Sequence, residues 1–419
     1  MLFLEYVASA IFILLLCIHL VWIFVLLGKK DKKYKKFSPW VSVVIPAHNE
    51  EKIIEKTIQS VFDDGYDKIK EIIVINDGST DNTQKVLEKI KDMRVKIYQT
   101  NHVGKANAVN FGVKKSSSEF LLILDADSLL KKGTIAELLA PFEDEKVGGT
   151  TGVIRGIKTK NPLTWFQDYE YIFSSSWRYL TTKLDGNSIL PGIACIRKDA
   201  FVKTGSFSDD TLTEDFDLGI GMRKIGYKTV MIKTAVIHTR LPNNVKSLIR
   251  QRLRWSLGSL QVMKKNFKFI FSRRSGAVGY FSVPTQFYWY IHAAVYMPIA
   301  IFLMLYGYNQ YFLSSNVVVS LDVVKFFISW LTVYGIFDLI YNVFITHTYA
   351  MSLMIITVII MYFVSLIYTI LVFIKVSRPD IRALLVHIII FPYSVLTLSP
   401  LVVSLFRFYF SKKRNVWTK

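Results

Sequence analysis

The sequence predicts an α/β domain built on a parallel sheet and joined to α-helical transmembrane segments. Three observations predict it. Long, almost uncharged apolar stretches lie near both ends of the chain. Between them, short β-branched runs alternate with helical stretches. Polar and acidic clusters close those runs, where open α/β sheets keep their ligands.

Composition narrows the class. The 419 residues carry 52 Lys and Arg against 32 Asp and Glu, a formal net charge of +20. In a soluble chain that balance suggests nucleic acid. Here 52% hydrophobic and only 20% charged residues place the chain with membrane proteins instead, and no nucleic-acid partner is expected. Global disorder is excluded. Cys17 and Cys195 are far apart and give neither a disulfide framework nor a zinc cluster.

Residues 1–38 read as a transmembrane helix with a basic juxtamembrane segment. Val7 to Leu27 holds no charge and is long enough to cross a hydrocarbon core of roughly 30 Å at ~1.5 Å per residue. Glu5 before it and large residues at its end do not fit a cleaved signal peptide. Lys29, Lys30, Lys32, Lys33, Lys35 and Lys36 follow, so the positive-inside rule places the next domain in the cytoplasm.

Residues 39–242 hold the α/β domain. Strands are expected over Val41–Ile45, Glu71–Ile75, Val95–Tyr98 and Phe120–Leu124, with helices over Glu50–Phe62, Thr83–Lys91 and Lys105–Lys114. No G-x-G-x-x-G follows the first strand and no P-loop signature occurs. Dinucleotide redox chemistry and P-loop ATP hydrolysis therefore lose their usual marks.

Several residues in this domain suit chemistry on a charged ligand. Asp125 and Asp127 leave an apolar strand on the same side, and two such close carboxylates favour a hard divalent cation, Mg²⁺ or Mn²⁺. An isolated D-x-D is equally an acidic turn. Asp77 closes the second strand, where it can accept from a base or ribose or cap a turn. Lys105 opens a helix and suits a diphosphate. Glu214 and Asp215 include a candidate general base, or simply favour a helix N-terminus. Trp165, Tyr169, Ile172, Phe173, Trp177 and Leu180 form an aromatic stripe that fits a membrane interface or a buried core face.

Residues 243–282 read as a basic amphipathic segment at the membrane interface. It carries Gln251, Arg254 and Trp255; an arginine there can neutralise a diphosphate and a tryptophan can stack on a sugar. Residues 283–419 are expected to hold about four transmembrane helices, near 284–307, 322–345, 350–374 and 384–408, and a basic tail with Lys412, Lys413 and Arg414. Four spans return that tail to the cytoplasm but leave Lys375, Arg378 and Arg382 outside. One segment is therefore expected to be interfacial or re-entrant, and the last, with Pro392 and Pro400, is the candidate. Five basic against three acidic residues between Val283 and Phe410 leave +18 of the charge elsewhere, facing anionic headgroups.

Taken in order, D, D-x-D, T-E-D and Q-x-x-R-W resemble the family 2 glycosyltransferases, specifically the membrane-embedded processive synthases of cellulose, chitin, hyaluronan and poly-N-acetylglucosamine. The resemblance runs from Val41 to Trp255 and loosely to the tail with Trp417 and Thr418. It implies a GT-A-type nucleotide-sugar-binding domain and an inverting, metal-dependent sugar transfer, with a UDP-sugar the expected donor. The product would be a growing β-linked polysaccharide exported across the plasma membrane; glycan, glycolipid and membrane lipid are the partners implied. Asp77, with Pro46, Ala47 and Glu50, would hold the nucleotide. Lys105 would lie near the diphosphate. Asp125 and Asp127 match the metal motif, with Asp127 the more direct ligand. Asp215 matches the catalytic base, supported by Glu214. Gln251, Arg254 and Trp255 match the element beside acceptor and diphosphate, and Gly192 the segment under the acceptor. After Pro242 the aminosugar synthases carry Glu-Thr, where this chain has Asn243 and Asn244. A non-processive transferase that adds one sugar to a lipid is the alternative, and its Q/R-x-x-R-W motif is related.

Overall fold

The elements follow in order as helix α1 (Leu2–Gly28), β1 (Val41–Ala47), α2 (Ile54–Asp63), β2 (Ile69–Asp77), α3 (Thr83–Glu88), β3 (Val95–Thr100), α4 (Lys105–Lys115) and β4 (Phe120–Ile123). Then come β5 (Ser128–Leu130), α5 (Thr134–Leu139), β6 (Val147–Gly156), α6 (Pro162–Lys183), β7 (Ala194–Arg197), α7 (Lys198–Lys203), α8 (Glu214–Lys224), β8 (Lys228–Thr239) and α9 (Val245–Lys265). This is a computed structural model, and it describes residues 2–28, 30–315 and 318–410. Lys29, Lys412, Lys413, Arg414, Trp417 and Thr418 lie outside the described residues. The chain divides into two units: residues 30–243 with 257–283, and residues 1–29 with 244–256 and 284–412.

In the first unit the expected strands pair in parallel as β3-β2-β1-β4. Alternate residues point to opposite faces. Val43, Ile45, Ile72, Val74 and Leu122 pack with Ile54, Ile58 and Val61 of α2. Val44, Ile73, Ile75, Leu121 and Ile123 pack with Ala108, Val109 and Val113 of α4. Both faces are covered, which is why these strands read as apolar runs. At the edge away from the acidic loops, Glu71 accepts from Ser42 Oγ (2.9 Å), Ser117 N (2.8 Å) and Lys96 Nζ (2.6 Å).

The parallel sheet expected from these runs is extended by an antiparallel half. The eight-stranded sheet runs β3-β2-β1-β4-β7-β6-β8-β5, with β4·β7, β6·β7 and β5·β8 antiparallel. A parallel pair needs a crossover of roughly a dozen residues or more. Only the four residues Leu124–Asp127 separate β4 from β5, and β5 joins β8 at the far edge. The α6 stripe is a core face: Tyr169, Ile172 and Leu180 are buried, and Trp165, Phe173 and Trp177 half-buried. The basic segment after α1 belongs to this unit. Asp31 pairs with Lys233 (2.6 Å) and Lys183 (3.2 Å) and accepts from Tyr179 Oη, and Lys32 pairs with Asp144 (2.9 Å).

Among the described residues, four helical stretches are long and apolar enough to cross a membrane: Phe3–Gly28, Val278–Ser314, Leu353–Lys375 and Ile390–Phe410. A sharp bend lies in the stretch expected near 322–345, while the last segment is a continuous helix. Leu321–Leu331 and Tyr334–Phe344 meet at 110°. Thr332 takes extended backbone there and ends the first helix. Pro392 sits in the first turn of Ile390–Phe410, where a missing N–H costs no helical bond, and that helix continues past Pro400. In the second unit α1 lies alongside Leu353–Lys375 in the same direction. Ile11 and Leu15 pack with Met361, His19 and Trp22 lie against Tyr368, and Lys375 Nζ donates to Leu26 O (2.9 Å).

Candidate active site

The loops after β1 and β2 are tied together before any ligand is considered. Pro46 and Ala47 end β1, and Asn49 turns the chain with φ 58°. Asn49 Oδ1 accepts from Thr80 N (2.8 Å), and Glu50 N donates to Thr83 Oγ1 (2.8 Å). Asp77 at the end of β2 is buried. Its carboxylate accepts from Thr100 Oγ1 (2.7 Å), Val103 N (2.7 Å) and Gly104 N (2.9 Å). It therefore shapes the turn from which α4 begins with Lys105. Gly78, with φ +63°, permits this: a Cβ there would sit 2.8 Å from His102 N.

Residue-by-residue reading missed two neighbours in these loops. His48 and His102 stack with centroids 4.3 Å apart, and their Nδ1 atoms lie 2.7 and 3.2 Å from the Asp77 carbonyl oxygen. Donation to one carbonyl sets both imidazoles as Nδ1–H. The signal was available, since His48 stands between Ala47 and Glu50.

The acidic centre draws on four separate parts of the chain. Lys105 Nζ from the start of α4 pairs with Asp125 Oδ1 (2.6 Å), just beyond β4, and lies 3.7 Å from Glu214 Oε1 at the start of α8. Burial alone would lower the Lys105 pKa, but Asp125, Glu214 and Asp215 outweigh it and hold the ammonium firmly charged. Gly192 closes over this pair. A Cβ at 192 would fall on Asp125 Oδ2 and lie 2.6 Å from Lys105 Nζ. Asp127 accepts from Ser128 Oγ (3.2 Å) and Thr239 Oγ1 (3.3 Å). Burial, then the charge of Asp125, push its carboxyl above the usual range. Glu50 is pushed up to about 7 by burial and by Asp127, against the opposing charge of Arg240 at 3.4 Å.

Helix α8 presents Glu214, which is buried, and Asp215, which is half-buried. Its support was not legible from motifs. Lys265 Nζ (2.7 Å) and Asn266 Nδ2 (3.0 Å) hold the Asp217 carboxylate, and Leu212 N donates to Gln261 Oε1 (2.9 Å). Gly258 lets the second half of α9 pass close by, since a Cβ would lie 2.6 Å from Thr213 Cγ2. Arg178 of α6 is buried, bonded to Ser174 and Ser175 Oγ (2.9 Å each); burial lowers its pKa to about 10, against the attraction of Asp215. One unit thus contains Asp77, Lys105, Asp125, Asp127, Gly192, Glu214 and Asp215. Gln251, Arg254 and Trp255 lie on the first half of α9, which belongs to the other unit, and there the Arg252 guanidinium lies 4.4 Å above the Trp255 ring.

The donor set fits a hard divalent cation that also binds substrate. Among the described residues no three His, Cys, Asp or Glu side chains form a ready ligand set. Asp125 and Asp127 supply two carboxylates, the number Mg²⁺-type sites use beside substrate phosphates.

Comparison with known proteins agrees with this architecture. Residues 42–205 match the family model Glycosyl transferase family 2. The chain is 32% identical over 233 residues to a poly-beta-1,6-N-acetyl-D-glucosamine synthase of Staphylococcus aureus, covering 54% of this chain and 56% of that one. It is 32% identical over 250 residues to the probable glycosyltransferase YdaM of Bacillus subtilis, covering 56% and 59%. The matches span little more than half the length of these curated relatives. In fold it is similar to a mannosyltransferase of Pyrobaculum calidifontis solved with GDP-Man and Mn²⁺, with TM-score 0.60, 18% identity, and 88% and 98% of the two chains covered. The fold is GT-A-like, with several helices apolar and long enough to cross a membrane, and residues 42–205 are similar to the glycosyl transferase family 2 domain.

Proposed function

We propose that this protein transfers a sugar, with inversion, from a nucleoside diphosphate sugar to a growing membrane-associated polysaccharide. The observation that carries the reading is the cluster of Lys105, Asp125 and Glu214 beside Asp215, beyond the carboxyl ends of the parallel strands. Asp215 takes the proton of the acceptor hydroxyl as that oxygen attacks the anomeric carbon. Lys105 meets the charge that develops on the departing diphosphate, fixed in place before reaction. Asp125 and Asp127 would hold Mg²⁺ or Mn²⁺, which would supply Lewis-acid neutralisation of the diphosphate when bound. On substrate arrival Lys105 exchanges part of its pairing with Asp125 for phosphate oxygens. Pro46, Ala47, Glu50 and Asp77 frame the nucleotide, with a UDP-sugar the expected donor. Arg254 and Trp255 serve the diphosphate and acceptor.

The membrane reading has its own support. With α1 ending in the cytoplasm, a parallel Leu353–Lys375 must begin outside. An odd number of crossings then separates them. Val278–Ser314 supplies one, so the bent pair Leu321–Phe344 returns to the side it left. This places Lys375, Arg378 and Arg382 beside the juxtamembrane lysines, as the positive-inside rule requires, whereas a crossing by Ile390–Phe410 would carry the tail with Lys412, Lys413 and Arg414 outside, so that helix is read as interfacial. The 32% identity to a polysaccharide synthase supports a polymer, and export through the apolar helices follows from that reading.

The test is product mass. Purified full-length protein is given single labelled nucleotide sugars with Mg²⁺ or Mn²⁺. A ladder of β-linked oligomers from one donor is the expected product. One glycolipid of a single added sugar would instead establish the non-processive reading.

A further inference from the structure

The chain makes an elbow between α9 and the apolar stretch that begins at Val278. On its inner side Val262, Ile270, Val278 and Val283 pack in one cluster with Phe216 and Ile220 of α8. Lys265 and Asn266 hold Asp217, two residues beyond Asp215. Its outer side is of opposite character. Phe267 and Phe271 are 58% and 66% exposed and lie ring to ring, 4.6 Å apart. Lys268, Arg273 and Arg274 around them are exposed as well. A solvated helix face does not call for two adjacent exposed phenylalanines among cations. A bilayer interface does, because rings enter the acyl boundary while cations meet phosphates.

We infer that residues 267–274 dock on an anionic lipid surface, and that this contact sets the position of α8 and hence of Asp215. Charge complementarity and chain continuity argue for lipid, since the apolar stretch Val278–Ser314 starts four residues after Arg274. The inference rests on the membrane transferase reading and adds a lipid requirement to it. Anionic headgroups hold the outer side, the elbow stiffens, and the Lys265–Asp217 and Asn266–Asp217 bonds hold the first turn of α8 in place.

The test uses the full chain in nanodiscs of phosphatidylcholine alone or mixed with phosphatidylglycerol. Anionic lipid is expected to raise turnover on the order of five-fold, the effect of one cation near a charged surface. Phe267→Ser, Phe271→Ser, Arg273→Gln and Arg274→Gln together are expected to bring that ratio to about one, with turnover in neutral nanodiscs unchanged. Lipid contact is read separately, as quenching of a Phe271→Trp variant by brominated acyl chains beyond the wild-type background. Lys265→Met is expected to keep that contact while losing the stimulation. Absence of quenching at position 271, or the same anion dependence in the fourfold variant, would overturn the inference. Quenching needs no turnover, so failure of the lipid reading is distinguishable from failure of the transferase reading.

Discussion

Gly192 shows how one absent side chain fixes a site. Its backbone lies against the Lys105–Asp125 pair, and any Cβ would displace one or both. Gly192→Ala is expected to lower transfer roughly 10–100-fold, about 1.4–2.7 kcal/mol of transition-state stabilisation, with little change in thermal midpoint. A kinetic comparison of purified variants checks it. At the other edge of the sheet, Glu71 carries stability rather than chemistry. Burial would raise its pKa, but Lys96, Ser117 and Ser42 hold it at about 2, against 4.5 unperturbed. A depressed carboxyl stabilises the fold above its unfolded pKa, and that stability is lost as pH falls through the window from 4.5 to about 2. The thermal midpoint of wild type is expected to fall across that window. That of Glu71→Gln should start lower and fall less. Candidate residues were legible because D and D-x-D each stand at the end of an apolar run and T-E-D stands at the start of a helical stretch. Arg178, Lys265 and His102 were not, because each acts through a partner distant in sequence.

At the scale of elements, the first four strands and their helices follow closely from alternating apolar runs. Helix α2 starts later than Glu50, at Ile54, because the Glu50–Glu51 backbone is engaged by the β2 loop. The antiparallel half of the sheet was illegible, since strand direction after Leu124 depends on where a short turn leads. The membrane helices were legible as apolar stretches but not as topology. The parallel contact of α1 with Leu353–Lys375 carries information that composition lacks. Single cysteines at Lys33 and Arg382, in a Cys17→Ser, Cys195→Ser background, are expected to react with an impermeant maleimide only from the cytoplasmic side. A cysteine at Thr348, beyond the bent pair, should react from outside. Opposite labelling of positions 33 and 382 would contradict the topology.

For the whole molecule, the charge of +20 is spent in more than one way. The sequence suggests that the excess faces anionic headgroups. In the structure a share of it is paired: Lys32, Lys96, Lys158, Lys183, Lys233 and Lys265 meet carboxylates that fasten segments of the first unit. Lys105 pairs with the acidic centre and, with Arg254, is proposed to meet the substrate's diphosphate. Exposed Lys268, Arg273 and Arg274 are left for lipid. The central claim is that a few carboxylates among 32 acidic residues carry sugar transfer, with Asp215 as the base. The most direct measurement compares wild type and Asp215→Asn for donor binding and for transfer, in the same preparation with the same divalent cation. Donor affinity should be retained while transfer falls by ~10²–10⁴-fold. Wild-type transfer by Asp215→Asn would contradict the account.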